Sequence, residues 1–176
     1  MTLARARALV ERCGPDDQRD RILAFLEAHP DALHRSCPDG HLTASALVVD
    51  ATGDRALLMH HRKLDKWLQM GGHAEGDADL AAVALKEAFE ESGIDGLTLA
   101  NRGTPVDLDV HEVRPPHEPP HLHLDVRFVA VAPAGCVATG NDESHEVRWV
   151  DLDDLARTHD EPGMRRLAAA ARSLLR

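Results

Sequence analysis

Two spacings of apolar and polar residues divide the chain. Up to about Pro38 the spacing is helical. TLARARALVERC predicts one short helix, broken at Gly14-Pro15. Asp16 and Asp17 then open DDQRDRILAFLEAH, whose apolar residues are Ile22, Leu23, Phe25 and Leu26. Pro30, Pro38 and Gly40 mark the exit from this lead-in. Beyond it the period shortens. ALVVD (46–50) and ALLMHH (56–61) predict short strands joined through Ala51-Thr52-Gly53-Asp54, a hairpin signal. DKWLQMGGHAEGD predicts a glycine-containing loop. A helix follows from about Leu80 to Ser92, with Asp79 as N-cap and Gly93 as stop. LTLA, VDLDVHEV, HLHLDVRFVAVA (121–132) and EVRWVDL (146–152) predict further strands, and Pro162 to Leu175 a closing amphipathic helix. Elements in this order make an α/β or α+β layer fold with a mixed sheet. The expected division is a helical extension over residues 1–38 and one domain over 39–176.

The predicted helix within GHAEGDADLAAVALKEAFEESGI (72–94) carries the chemistry. At about 100° per residue, Glu87, Glu90 and Glu91 fall within an arc of about 100°. Ala81, Leu85, Ala88 and Phe89 are expected opposite, buried against a sheet. Such a cluster is either a solvated acidic face or a cation site. Glu87 and Glu91 repel at i and i+4 unless a cation lies between them, and Lys86 alone does not balance three carboxylates. Hard divalent cations take oxygen ligands of this kind.

This stretch resembles the Nudix box, a loop–helix–loop motif in which Gly72, Glu87, Glu90, Glu91, Gly93 and Ile94 fit in register. The five Gly and Glu matches alone arise by chance on the order of once in a million windows. Trp67-Leu68-Gln69-Met70-Gly71-Gly72 is similar to the family's Trp-x-x-Pro-Gly-Gly entry, and EVRWVDLDDL to its late Trp strand. Three positions depart: Ala78 replaces the first Glu of the box, Lys86 its Arg, and Ala88 an aliphatic residue. Lys keeps the charge of Arg but loses its planar fork.

The resemblance implies an α/β/α sandwich around a central mixed sheet and a hydrolase of diphosphate bonds in nucleoside diphosphate derivatives. It implies Mg²⁺ or Mn²⁺ held by Glu87, Glu90 and Glu91, joined by the Gly71 carbonyl. The ion would activate water and polarise phosphoryl oxygens. Glu87, Glu90 and Glu143 are the catalytic candidates, and the general base is Glu87 or Glu143, with Asp142 and Glu146 as neighbours that could substitute. A Nudix-like nucleotide sensor without turnover is the alternative function. His73 stands where the isopentenyl diphosphate isomerase branch has a metal-binding His. Gly71 occupies the place of that branch's catalytic Cys, which disfavours isomerase chemistry.

Twelve His residues add a second candidate region. On a strand over 121–128, His121, His123, Asp125 and Arg127 share one face and Leu122, Leu124, Val126 and Phe128 the other. The polar face is either a ligand pocket, with the loop around His117 at its mouth, or a solvated sheet face. A second metal site using His121 and His123 is an alternative that an i, i+2 pair supports only weakly. Trp67 and Arg62 join His121, His123 and Arg127 as substrate-binding candidates. His60, His61, Arg62 and Lys63 are either phosphate contacts or ordinary strand-end residues.

Composition narrows the partners. A formal charge of −10 opposes an extended nucleic-acid surface but not a phosphate substrate at a cation site. Aromatics are 3%, with no Tyr, so Ala, Leu and Val must build the core. No apolar run approaches a membrane span, and MTLARARALVERC lacks the apolar centre of a signal peptide. Cys13, Cys37 and Cys136 read as reduced thiols of a cytoplasmic protein. A homodimer is compatible with this reading.

Overall fold

A computed structural model describes residues 2–176. Two helices lead in, α1 (Leu3–Val10) and α2 (Asp17–Ala28), the second capped by the Asp16 carboxylate accepting from the Arg19 amide at 2.7 Å. The strands are β1 (Gly40–Val49), β2 (Arg55–His61), β3 (Lys66–Leu68), β4 (Met70–His73), β5 (Thr98–Leu99), β6 (Asp107–Val113), β7 (His121–Val131) and β8 (Ser144–Asp151). Helix α3 (Leu80–Ser92) follows β4, and α4 (Leu152–Thr158) and α5 (Pro162–Leu175) close the chain.

All eight strands form one mixed sheet. β1 runs parallel to β7 over its whole length, from Gly40 opposite Leu122 to Val49 opposite Val131. Its other edge is shared: Thr43–Ala46 pair with β4, and Val48–Val49 with β2. β2 also pairs with β3 and β8, and β7 with β6 and β5.

Alternation along β1 and β7 assigns the two faces. Leu42, Ala44, Ala46, Val48, Leu124, Val126 and Phe128 join a core with Ala6, Val10, Ile22 and Leu26 of the lead-in and Leu80, Val83, Ala84 and Ala88 of α3. On the opposite face Leu47, Val49 and Val129 pack with Leu152 and Leu155 of α4 and Met164, Leu167, Ala168 and Ala171 of α5. Helices therefore cover both faces, giving the expected α/β/α sandwich. The lead-in helices share the core of the sheet they cover.

Several elements differ from the sequence expectation. β1 begins six residues before the ALVVD run, because polar His41, Thr43 and Ser45 alternate with buried apolar residues. The expected Gly loop contains β3 and β4, since backbone pairing with Thr43–Ala46 holds glycines of low strand propensity in place. LTLA yields only Thr98–Leu99, because Asn101 and Arg102 take left-handed φ values of 51° and 52°. Helix α4 follows directly from β8, started by the Asp151 side chain accepting from the Asp154 amide at 2.8 Å.

If the lead-in is integral to the core, truncating it weakens the whole fold. Ile22 is fully buried, so Ile22→Ala is expected to cost about 2–4 kcal/mol in a single urea transition. A main transition left unmoved would show the lead-in to unfold separately.

Candidate active site

The carboxylate site is assembled where β4 meets α3. A Cβ at Gly72 would lie 2.7 Å from the Glu87 carboxyl carbon and would displace that carboxylate from the strand. Its absence lets the helix bring a carboxylate directly against the strand. The Gly71 amide donates to Glu91 at 2.8 Å. Lys86 Nζ bridges Glu87 at 3.1 Å and Glu90 at 3.0 Å. Glu87 and Glu91 thus meet the middle of β4, and Glu90 is joined to Glu87 through Lys86.

Glu91 is 4% exposed. Burial pushes its carboxyl up to about 8; the Gly71 hydrogen bond opposes this, and the fields of Glu87, Glu143 and Glu90 add to it. The expected opposition of carboxylate and apolar faces is corrected here. The inward stripe of α3 is Leu80, Val83, Ala84 and Ala88, continued by Glu91 itself, while Phe89 points outward at 46% exposure. One stripe of α3 is therefore apolar at its start and acidic at its end. A buried carboxylate with two more beside it, a single exposed Lys between them and a cradle free of Cβ atoms fits a divalent cation.

Both ends of α3 are held. Asp79 caps it by accepting from the Ala82 amide at 3.3 Å and pairs with Arg5 of α1. Gly93, at φ 70°, ends it, and the amides of Thr139 and Gly140 donate to the Ser92 carbonyl at 2.9 and 3.2 Å. Ala78, where the motif has Glu, is fully buried in the core. Asp77 accepts from the Asp79 amide at 2.8 Å, so both flanking carboxylates serve the start of the helix.

The loop preceding β8 carries Glu143. Among the described residues nothing pairs with its exposed carboxylate, while Glu146 is held by Arg148 at 2.9 Å. Arg62 braces this loop: its amide donates to the Glu143 carbonyl at 2.8 Å, and its guanidinium to the Asp142 and Ser144 carbonyls at 3.0 and 2.8 Å. The structure thus places Arg62 as a support for Glu143. Trp67 has His60 stacked on it at 5.1 Å and the Arg148 guanidinium 4.6 Å from its ring centre.

On the polar face of β7, His121, Asp125 and Arg127 are buried and His123 is half-buried, so this is not a solvated face. The registers place Thr43 beside Asp125 and Ser45 beside Arg127, with Asp109 and Asp107 on the other flank. Asp125 accepts from Thr43 at 3.0 Å, Ser45 at 2.8 Å and Arg127 Nε at 2.9 Å. Arg127 also donates to Asp107, Asp109 and the Gly163 carbonyl at 3.0–3.3 Å. Arg166 of α5 completes the network on Asp107 and Asp109 at 2.6 and 2.8 Å. With its donors committed and 6% exposure, Arg127 is placed as a clamp between sheet and α5 rather than as a free phosphate contact.

His121 and His123 lie at the other end of the same face, gathered with His41, His73 and His111. Burial and neighbouring imidazoles push His41 down to about 4 and His123 down to about 3, so both are neutral at pH 7. Sequence reasoning missed His41 and the Asp107–Asp109 pair as members of this face. The alternation His41-Thr43-Ser45 was the available signal, hidden because the apolar run begins only at Ala46.

A mixed sheet between helical layers, with a glycine strand feeding a helix of carboxylates, defines a pyrophosphohydrolase architecture. The model of the NUDIX domain matches residues 39–171. The chain belongs to the NUDIX family and is a hydrolase of pyrophosphate bonds. It is similar to a NUDIX-family hydrolase from Clostridium perfringens, with TM-score 0.60 and 26% identity over 76% of this chain and 97% of that one. An Ap4A hydrolase from C. elegans shares the fold at TM-score 0.61 and 17% identity, over 76% and 96% of the two chains. The E. coli dihydroneopterin triphosphate pyrophosphohydrolase does so at 0.54 and 18%, over 72% and 91%. No curated protein sequence matches the chain.

Two stability tests follow. A carboxyl raised from 4.5 to about 8 contributes stability below its ordinary value and loses it as pH rises through the folded value. Metal-free Glu91→Gln is therefore expected to melt several degrees above wild type at about pH 9, the gap closing near about pH 5. Equal Tm differences at both values would refute the burial argument. Arg127→Met leaves buried Asp125 without a cation and Asp107 and Asp109 with Arg166 as their shared guanidinium, and is expected to cost on the order of 3–5 kcal/mol in urea denaturation.

Proposed function

We propose that this chain hydrolyses a diphosphate bond in a small nucleoside diphosphate derivative, using Mg²⁺ or Mn²⁺ held by Glu87, Glu90, Glu91 and the Gly71 carbonyl. The observation that carries the reading is Glu91: buried, hydrogen-bonded to the Gly71 amide and crowded by like charges. Bound there, the ion supplies charge to the phosphoryl oxygens and lowers the pKa of the attacking water. Glu143 is the general base, taking the water's proton on a carboxylate oxygen. Its exposed, unpaired carboxylate and its field at Glu91 favour it over Glu87, which Lys86 already engages. Arg62 is a positioning residue that holds the Glu143 loop by three backbone contacts. Lys86 neutralises Glu87 and Glu90 as an Arg would, without the bidentate fork.

Nucleotide chemistry suits an acidic chain, since the site and not the surface would meet the phosphates. Among the described residues no helix is long and apolar enough to cross a membrane, and all three cysteines are free, which supports a cytoplasmic setting. Of the remaining substrate candidates, His121 and His123 sit at the start of β7 and Trp67 in the middle of β3.

A panel of ADP-ribose, dinucleoside polyphosphates, NADH and nucleoside triphosphates, read by Mg²⁺-dependent phosphate release, is expected to reveal turnover. Glu90→Gln or Glu91→Gln should abolish it with the fold intact, and Glu143→Gln should lower kcat roughly 10²-fold or more. Wild-type rates in the first two variants would end the assignment. Nucleotide binding without turnover would instead mark a sensor.

A further inference from the structure

The imidazole end of the buried polar face has no counterpart in the carboxylate chemistry. His41, His121 and His123 each offer a ring nitrogen, and these atoms lie within 4.8 Å of one another. The parallel register seats His41 directly beside His123, and His121 stands two residues earlier on the same face. His73, opposite Thr43 on β4, brings a fourth ring to 4.9 Å from His41 and 5.3 Å from His123. Strand alternation turns this group away from α3, so it lies across the sheet from Glu87 and Glu91.

Hydrogen bonding leaves the cluster incomplete. His41 is 1% exposed, yet among the described residues neither of its ring nitrogens has a hydrogen-bond partner. A buried polar group left in that condition costs about 1–3 kcal/mol. Its ring neighbours are other imidazoles, and among the described residues no carboxylate or carbonyl comes within hydrogen-bond reach. His121 is the opposite case. Its Nδ1 lies 2.9 Å from the Pro119 carbonyl. Since a carbonyl only accepts, Nδ1 carries the proton and Nε2 is left as a fixed lone pair. A hydrogen bond of this kind is how a metal-binding imidazole is held in its tautomer.

We propose that His41, His121 and His123 bind a borderline transition-metal ion, zinc foremost, at a site separate from the carboxylates, with the fourth position facing His73. Neutral imidazole nitrogens suit zinc and its neighbours, while Mg²⁺ requires oxygen. At Zn–N distances of about 2.0–2.1 Å, tetrahedral nitrogens stand roughly 3.3–3.4 Å apart, so the trio closes by at most about 1.5 Å. The ion would satisfy His41 and tie the start of β1 to β7 and to the Pro119 loop.

The test uses the full chain, stripped by chelator and titrated with Co²⁺ and then Zn²⁺ in excess Mg²⁺, which occupies hard oxygen sites. Wild type should bind about one equivalent, give the visible Co²⁺ spectrum of tetrahedral nitrogen ligation, and gain thermal stability with zinc. His121→Ala, at the rim of the cluster, should weaken uptake at least about 100-fold, and Glu90→Gln should leave it unchanged. If His41→Ala fails to fold, His121→Ala carries the comparison. Absence of Co²⁺ and Zn²⁺ uptake by wild type, unchanged uptake in His121→Ala, or loss of uptake in Glu90→Gln would each overturn the proposal. None of these readouts depends on turnover.

Discussion

The parallel pairing of β1 with β7 is the constraint on which the remaining structure depends. It aligns His41, Thr43 and Ser45 with His123, Asp125 and Arg127, and by alternation sends every intervening side chain to the apolar face. A slip of one residue would exchange the two sets and put a guanidinium and a carboxylate among leucines. Gly40 helps fix the start, since at φ 155° a Cβ would stand 2.6 Å from the Leu122 carbonyl oxygen. Once the register is set, the odd-numbered face grades from imidazoles, through an ion network, to the aliphatic floor beneath α5.

The second constraint is at β4. This strand lacks a side chain at Gly72, where Glu87 of α3 lies, and at Gly71, where β1 lies against it, and Glu91 is buried beside it. Burial raises the cost of the charged form, and only a cation or a proton can relieve it. The packing of α3 and the proposed cation site thus share the same few contacts. The ion network around Arg127 shows the other solution to buried charge, in which both signs are supplied by the chain itself.

The carboxylate site was largely legible in the sequence because it is local: Gly72 through Ile94 lie within one loop and one helix, and their spacing carries the geometry. The caps at Asp79 and Gly93 were readable for the same reason. The polar face was only half legible. One strand, 121–128, displayed its alternation, but its meaning depended on β1 and β6, whose His41, Asp107 and Asp109 come from distant segments. Arg127 looked available because the sequence cannot show that three carboxylates converge on it. Phe89 was expected inside on helical angle alone, although the inward stripe of α3 continues through Glu91.

The attachment of α3 at both ends carries a further meaning. Its first turn is fastened to α1 through Arg5 and Asp79, and its last carbonyl to the segment that leads into the Glu143 loop. The spacing between the helix and the loop carboxylate therefore depends on residues outside the acidic cluster. Drift at Arg5 or Thr139 can shift α3 relative to the Glu143 loop while every acidic residue is retained, so the motif alone is an incomplete record of how those carboxylates are spaced.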